Sequence, residues 1–248
     1  MSDENALDSQ RDAHGFEYSG SELGALSSAG NYYRWLLGRF EPYLGERVLE
    51  VGAGIGTFSQ MLLTVPRIRS LVAIEPAGNT YPLLAKRLAD NPRAKVIKGY
   101  LSEYSIDSSV DSLIAVNVLE HVQDDGEFLR LAWEAVVPGG TLLLFVPAVP
   151  AIFGSLDRAF EHCRRYTKDT LGQCIARAGW TVERVEYMNL PGVLVWFLAA
   201  RVLGWKTIPG RGARWYDRFI IPLTRRVEDI VRIPIGQSLL AVARKPRA

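Results

Sequence analysis

Arg47-Val48-Leu49-Glu50-Val51-Gly52-Ala53-Gly54-Ile55-Gly56 decides the reading of this chain. The first half reads as a short β-strand, the second as a glycine-rich turn, and Thr57 to Leu63 predicts a helix directly after it. Strand, turn and helix together aim backbone N–H groups and a positive helix end at one point, and the missing side chains let a ligand approach the backbone. The next apolar run, Leu71-Val72-Ala73-Ile74, ends at Glu75-Pro76, which leaves Glu75 at the carboxyl end of a second strand. Glu75 follows Gly52 by 23 residues. A carboxylate so placed accepts hydrogen bonds from both hydroxyls of a ribose, so an adenosine-containing ligand is expected.

Outward from this stretch the same rhythm continues. Upstream, Tyr33, Leu36, Leu37, Phe40 and Leu44 fall at helical intervals and predict a helix over 31–44. Downstream, helices are predicted at 81–90, around 126–135 and at 168–178, and strands at 94–97, 112–116, 141–146, 181–187 and 238–244. Pro138-Gly139-Gly140 reads as a turn before the fifth strand. Strands alternating with helices predict a doubly wound α/β sheet with helices on both faces. With 248 residues, 48% of them hydrophobic, one core suffices, and residues 1–248 are expected to form a single domain. Residues 1–20 are polar and lack the basic and apolar regions of a secretory signal, so they read as a mobile arm.

The formal net charge is only +2, which argues against nucleic acid as a partner of the whole molecule. Its distribution is uneven: from Arg201 onward eleven basic residues face three acidic ones, a local +8, leaving −6 for the first two hundred residues. The two cysteines, Cys163 and Cys174, show neither a disulfide framework nor metal-ligand spacing, which fits a reducing cytoplasm, and no metal is expected. The longest strongly apolar stretch, 187–200, is shorter than the roughly 18 residues a membrane span needs.

Several stretches in order resemble the class I S-adenosylmethionine-dependent methyltransferases: the glycine stretch above, Ile74-Glu75-Pro76, Asn117-Val118-Leu119-Glu120-His121-Val122 and Val137-Pro138-Gly139-Gly140. The glycines stand as GxGxG, whereas the dinucleotide pattern is GxGxxG, which disfavours a nicotinamide-dependent oxidoreductase. That oxidoreductase and a non-catalytic cofactor-binding module remain the rival readings. The resemblance implies a seven-stranded, mostly parallel sheet with an antiparallel last strand, and S-adenosyl-L-methionine as cofactor. It implies that Glu50 orders the loop, that Gly52, Ala53, Gly54 and Gly56 wrap the aminoacyl end, and that Glu75, followed by Pro76, takes the ribose. It also implies that Tyr100 and Leu101 flank the adenine, that Asn117 and Val118 line the methionine side, and that Tyr33 closes over it.

Methyl transfer to a hydroxyl wants a general base, and histidine suits that role near neutrality. His162, in Glu161-His162-Cys163-Arg164-Arg165-Tyr166, follows the fifth strand and faces the crevice where open α/β sheets bind ligands, so it is the preferred candidate. His121 is the second, with loop support as its other reading. His162 and Tyr166 pinning the loop, with Arg164 and Arg165 paired to surface carboxylates, is the competing account. Neither an Asn/Asp-Pro-Pro-aromatic tetrapeptide nor a Pro-Cys dipeptide is present, and their absence sets nucleic-acid methylation aside.

The segment 190–235, before the last strand, exceeds what a minimal fold needs and reads as a helical insertion or lid that chooses the acceptor. Leu190 to Leu203 is apolar all round. Further on, Arg214, Arg218, Arg225 and Arg232 share one helical face opposite Phe219, Leu223, Val227 and Ile230, with Pro222 expected to kink or divide the helix. The insertion therefore packs on the body, meets a second subunit, or touches the inner membrane face or a lipid-linked acceptor. The expected function is methyl transfer to an oxygen, less readily a nitrogen, of a small or lipid-linked acceptor.

Overall fold

The computed structural model describes residues 17–18, 29–104 and 110–247. Apart from Glu17 and Tyr18, the expected polar arm of residues 1–20 lies outside the described residues. Seven strands form one sheet in the order β3-β2-β1-β4-β5-β7-β6, where β1 is Arg47–Val51, β2 Ser70–Glu75, β3 Ala94–Lys98, β4 Val110–Val116, β5 Val136–Pro147, β6 Thr181–Met188 and β7 Ser238–Arg244. Pairs among β1 to β5 are parallel, and β7 runs antiparallel between β5 and β6. This is the doubly wound sheet with an antiparallel last strand that the sequence led one to expect.

The central strands are apolar on both sides because both faces are covered. Along β5, Leu142, Leu144 and Val146 pack into one core cluster while Leu143 and Phe145 pack into the other, and β7 divides Leu239 and Ala241 from Leu240 and Val242 in the same way. Helices α1 (Gly30–Phe40), α2 (Thr57–Leu62) and α3 (Tyr81–Leu88) bury Trp35, Leu36, Phe40, Leu62 and Leu84 on one face. Helices α4 (Asp125–Ala135) and α6 (Lys168–Arg177) bury Leu129, Ala132, Leu171 and Ile175 on the other. A short α5 (Ser155–Ala159) lies between β5 and α6.

Two local expectations change. Pro138-Gly139-Gly140 is an irregularity inside β5 instead of a turn before it. Val136 already pairs with Val110, the register shifts, and Thr141 pairs with Ser112. Gly139, at φ +83°, gives its N–H to the Lys245 carbonyl, so the backbone polar groups of the distortion stay satisfied. The second change is at Pro222, which does not divide the insertion helix. Helix runs from α8 (Gly210–Trp215) through a π-type turn, Tyr216–Ile220, into α9 (Ile221–Glu228), and the wider turn absorbs the proline at the second position of α9. Ahead of it, α7 (Leu190–Trp196) continues into a second π-type turn, Phe197–Val202.

The parallel strands place their carboxyl ends along one edge. Strand order reverses between β1 and β4, and the loops leaving these two strands diverge there to open a crevice. No helix among the described residues is long and apolar enough to cross a membrane.

Candidate active site

A cavity of about 1700 Å³ fills that crevice. It exceeds the roughly 300–1,000 Å³ of an ordinary small-molecule site, so two ligands fit side by side. A smaller cleft of about 330 Å³, among Tyr43, Asp111, Gly139 and Arg244, lies at the opposite ends of the strands. Of the residues singled out from the sequence, Tyr33, Glu50, Gly52, Ala53, Gly54, Glu75, Pro76, Tyr100, Leu101, Asn117, Val118, His121 and His162 all line the large cavity. Gly56 does not. At φ +81° it caps the start of α2, and a Cβ there would come within 2.8 Å of Leu84 Cδ1, so it shapes the loop from behind.

The glycine loop is built for close approach. Gly52 sits at φ +69°, and a Cβ on it would be driven into Val118 Cγ2, so the loop after β1 and the loop after β4 touch only because residue 52 is glycine. Glu75 holds the turn from the neighbouring strand: its Oε2 accepts the Gly54 N–H at 2.7 Å, and its Oε1 accepts the Ala77 N–H at 3.0 Å and the Thr80 hydroxyl at 2.9 Å. Glu50 is buried at the cavity wall, and its Oε2 has no hydrogen-bond partner among the described residues. Burial pushes its carboxyl up to about 8, with a further push from Glu75. An orphaned buried carboxylate oxygen beside a glycine cradle fits a ligand that brings a cationic donor, and the aminoacyl ammonium of S-adenosylmethionine is such a group.

On the other side of the cavity, the loop around α5 assembles a polar network. His162 Nδ1 lies 3.0 Å from Asp157 Oδ1. Asp157 is fully buried and also accepts from Arg165 Nε at 2.6 Å, from the Gly154 N–H at 2.9 Å and from Trp196 Nε1 at 3.1 Å. Burial works against its ionisation, yet the His162 hydrogen bond, the Arg165 charge and the other donors hold its carboxyl below the usual carboxylate range. The Arg165 guanidinium stacks on the Trp196 ring at 4.6 Å and donates to the Ala148 carbonyl at 2.7 Å. An ionised Asp157 makes Nδ1 of His162 the protonated nitrogen and leaves Nε2 with its lone pair, the tautomer of a base.

His121 stands edge-on to His162, ring centroids 4.8 Å apart. Burial, with the neighbouring His162, pushes its pKa down to about 4, so it is neutral at ordinary pH. Glu120 beneath them is fully buried, and neither of its oxygens has a hydrogen-bond partner among the described residues. Burial raises its carboxyl to about 7, opposed by the neighbouring His162 and Arg165. The donor atoms of Glu120, His121 and His162 lie within 4.8 Å of one another, and two imidazoles with one carboxylate are a set that a divalent cation accepts. Asp124 and Asp125 are engaged elsewhere: Asp124 caps α4 through the Glu127 N–H, and Asp125 holds Tyr166 at 2.9 Å and Arg164 at 3.0 Å. Arg164 thus pairs with a carboxylate as the competing account expected, while Arg165 is buried in the network.

Asp157, Arg165 in its buried role and Trp196 are what reading along the chain missed. No local signal marked them: Asp157 stands five residues before His162, off the three- or four-residue spacing of helical neighbours. Residues 205–221 of the insertion complete the cavity with Trp205, Ile208, Pro209, Ala213, Trp215 and Tyr216.

The sheet order 3-2-1-4-5-7-6, the glycine cradle after β1 and the acidic tip of β2 define a class I S-adenosylmethionine-dependent methyltransferase fold. Residues 28–185 match the methyltransferase domain family, and the chain belongs to that family. It is 28% identical over 142 residues to a protein of Mycolicibacterium smegmatis described as an S-adenosylmethionine-dependent methyltransferase, covering 56% of this chain and 53% of the relative. It is 34% identical over 107 residues to the ubiquinone biosynthesis O-methyltransferase of Azorhizobium caulinodans, covering 42% of this chain and 41% of the relative. The chain thus spans about half the length of the curated relatives it matches. Among solved structures, a candidate methyltransferase of Haloferax volcanii in complex with the Trm112 methyltransferase activator superposes with a TM-score of 0.61 at 16% identity, covering 91% of this chain and 95% of that one. At that identity the likeness is one of fold.

Proposed function

We propose that this protein transfers a methyl group from S-adenosylmethionine to a hydroxyl of an acceptor that carries an apolar, lipid-like tail. The observation that carries this reading is the placing of His162, held from behind by the buried Asp157, in a cavity whose wall continues through Trp205, Ile208 and Trp215 of the insertion. When bound, the cofactor supplies an electrophilic methyl on a sulfonium. Glu50 would hold its ammonium, the Gly52-Ala53-Gly54 backbone its aminoacyl end, and Glu75 its ribose. Tyr100 and Leu101 border the adenine, while Asn117, Val118 and Tyr33 border the methionine side.

A hydroxyl acceptor must lose its proton as it is methylated. His162 Nε2 takes that proton, and Asp157 holds the ring in the right tautomer and stabilises the imidazolium that forms. Arg165, Gly154 and Trp196 keep Asp157 ionised and in place. Neutral His121 walls the site beside His162 without competing for the proton. Similarity to an O-methyltransferase of ubiquinone biosynthesis supports oxygen as the acceptor atom.

The test is a turnover assay with hydroxylated and amine acceptors, each with and without a prenyl or acyl tail, reading the demethylated cofactor. Tailed hydroxylated acceptors should turn over fastest. Preference for amines, or for untailed acceptors, would contradict the proposal.

A further inference from the structure

Every large exposed hydrophobic side chain among the described residues, except Leu83 and Tyr100, lies between Leu190 and Ile235. The cause is an inside-out helix. Along 210–228 the buried stripe is Asp217, Ile221, Thr224 and Glu228, whereas Trp215, Phe219, Leu223 and Val227, followed by Ile230, face outward. An ordinary surface helix does the reverse.

The inward polar face has structural work. Asp217 accepts the Asn31 and Tyr32 backbone N–H groups at 3.1 and 2.9 Å, supplying the cap that α1 lacks locally. Glu228 accepts the Asn189 and Leu190 N–H groups at 3.0 and 2.9 Å at the start of α7. Two helix N-termini are stabilised by carboxylates brought from this helix, and turning those carboxylates inward turns the apolar stripe out. The second half of the α7 unit adds Leu194, Leu198, Val202 and Leu203 to the exposed set.

We infer that this face docks the protein on an anionic lipid surface. Charge picks the occupant. Residues 190–235 contain eight basic side chains, all exposed, and three acidic ones, of which Asp217 and Glu228 are buried. Only Asp229 remains exposed to offset the eight, and it pairs with Arg225 and Arg39. Among the described residues no ion pair engages Arg201, Lys206, Arg211, Arg214, Arg218 or Arg232. A two-fold contact with a second copy would set this cationic face against itself, whereas phosphate headgroups complement it, with the apolar stripe below headgroup level. Trp205 and Trp215 belong both to this face and to the cavity wall, so a tailed molecule passes from the lipid surface into the site without crossing water. Docking is independent of which atom is methylated.

Co-sedimentation of the full chain with vesicles of phosphatidylcholine alone and with 30% phosphatidylglycerol, at low and high salt, tests this. The anionic vesicles should bind the protein and salt should release it. Each arginine near an anionic surface multiplies partitioning by about fivefold, so Arg214→Gln with Arg218→Gln should lower it by about 25-fold. Phe219→Ser with Leu223→Ser should abolish binding, Leu83→Ser should not, and cofactor affinity should be unchanged in both. No binding to anionic vesicles at low salt would overturn the inference. So would a dimer in light scattering that Phe219→Ser with Leu223→Ser dissociates, because the face would then belong to a second copy.

Discussion

His162 donates Nδ1–H to Asp157 Oδ1 across 3.0 Å, and that same carboxylate takes the Trp196 indole N–H on its other oxygen. A residue of the insertion therefore braces the group that orients the base, and the segment that meets the acceptor is tied to the chemistry. His162→Ala should lower kcat by about 10²–10⁴-fold with cofactor affinity unchanged. Asp157→Asn should lower kcat as well, by freeing the ring to take the wrong tautomer. It should also destabilise the fold by about 3–5 kcal/mol, since Arg165 is left buried without its counter-charge. Steady-state kinetics with calorimetric binding, alongside thermal unfolding, separates the two variants.

Glu50 gives a pH signature. Its folded-state carboxyl is raised to about 8 by burial, so the folded protein holds a proton that the unfolded chain has lost above the ordinary carboxylate range. Stability of the cofactor-free protein should fall as pH rises from about 4.5 towards 8 and level off beyond, and Glu50→Gln should flatten that slope. Binding of a cationic ammonium favours the carboxylate, so cofactor binding at pH 7 should release a proton. Titration calorimetry in buffers of different ionisation enthalpy reads that release, which should vanish in Glu50→Gln.

At Gly52 the strain and the clash can be separated. Gly52→Ala should destabilise the fold by about 1–2 kcal/mol through its left-handed backbone alone, and should weaken cofactor binding further by pushing the β1 loop from Val118. Adding Val118→Ala should restore the steric part and leave the backbone part, as unfolding midpoints of the single and double variants would report.

Glu120, His121 and His162 cannot both hold a cation and leave His162 free as a base. Under the base mechanism, turnover in the presence of excess chelator should equal turnover without it. Loss of activity on chelation, restored by added zinc or magnesium, would reassign the three donors to a metal.

The sheet was legible because its signals are local. Apolar runs of strand length, Gly52 to Gly56 and the Glu75-Pro76 stop each carry their meaning within a few residues. The site was half legible: residues at strand ends fall into the crevice once the topology is known, and all but Gly56 of those singled out line it. Asp157 and Trp196 were not, because their roles depend on contacts 5 and 39 residues away that no periodicity encodes. The orientation of the insertion was hidden for a stronger form of the same reason. The pattern shows two faces, but the body's choice of the polar one rests on Asp217 reaching a helix start 186 residues away.

Calorimetric titration with S-adenosylmethionine and its demethylated product, beside NADH, tests the central claim most directly. The account predicts that both sulfur compounds bind, that NADH does not, and that Glu75→Ala weakens the binding. Binding of NADH alone, or of none of the three, would contradict it.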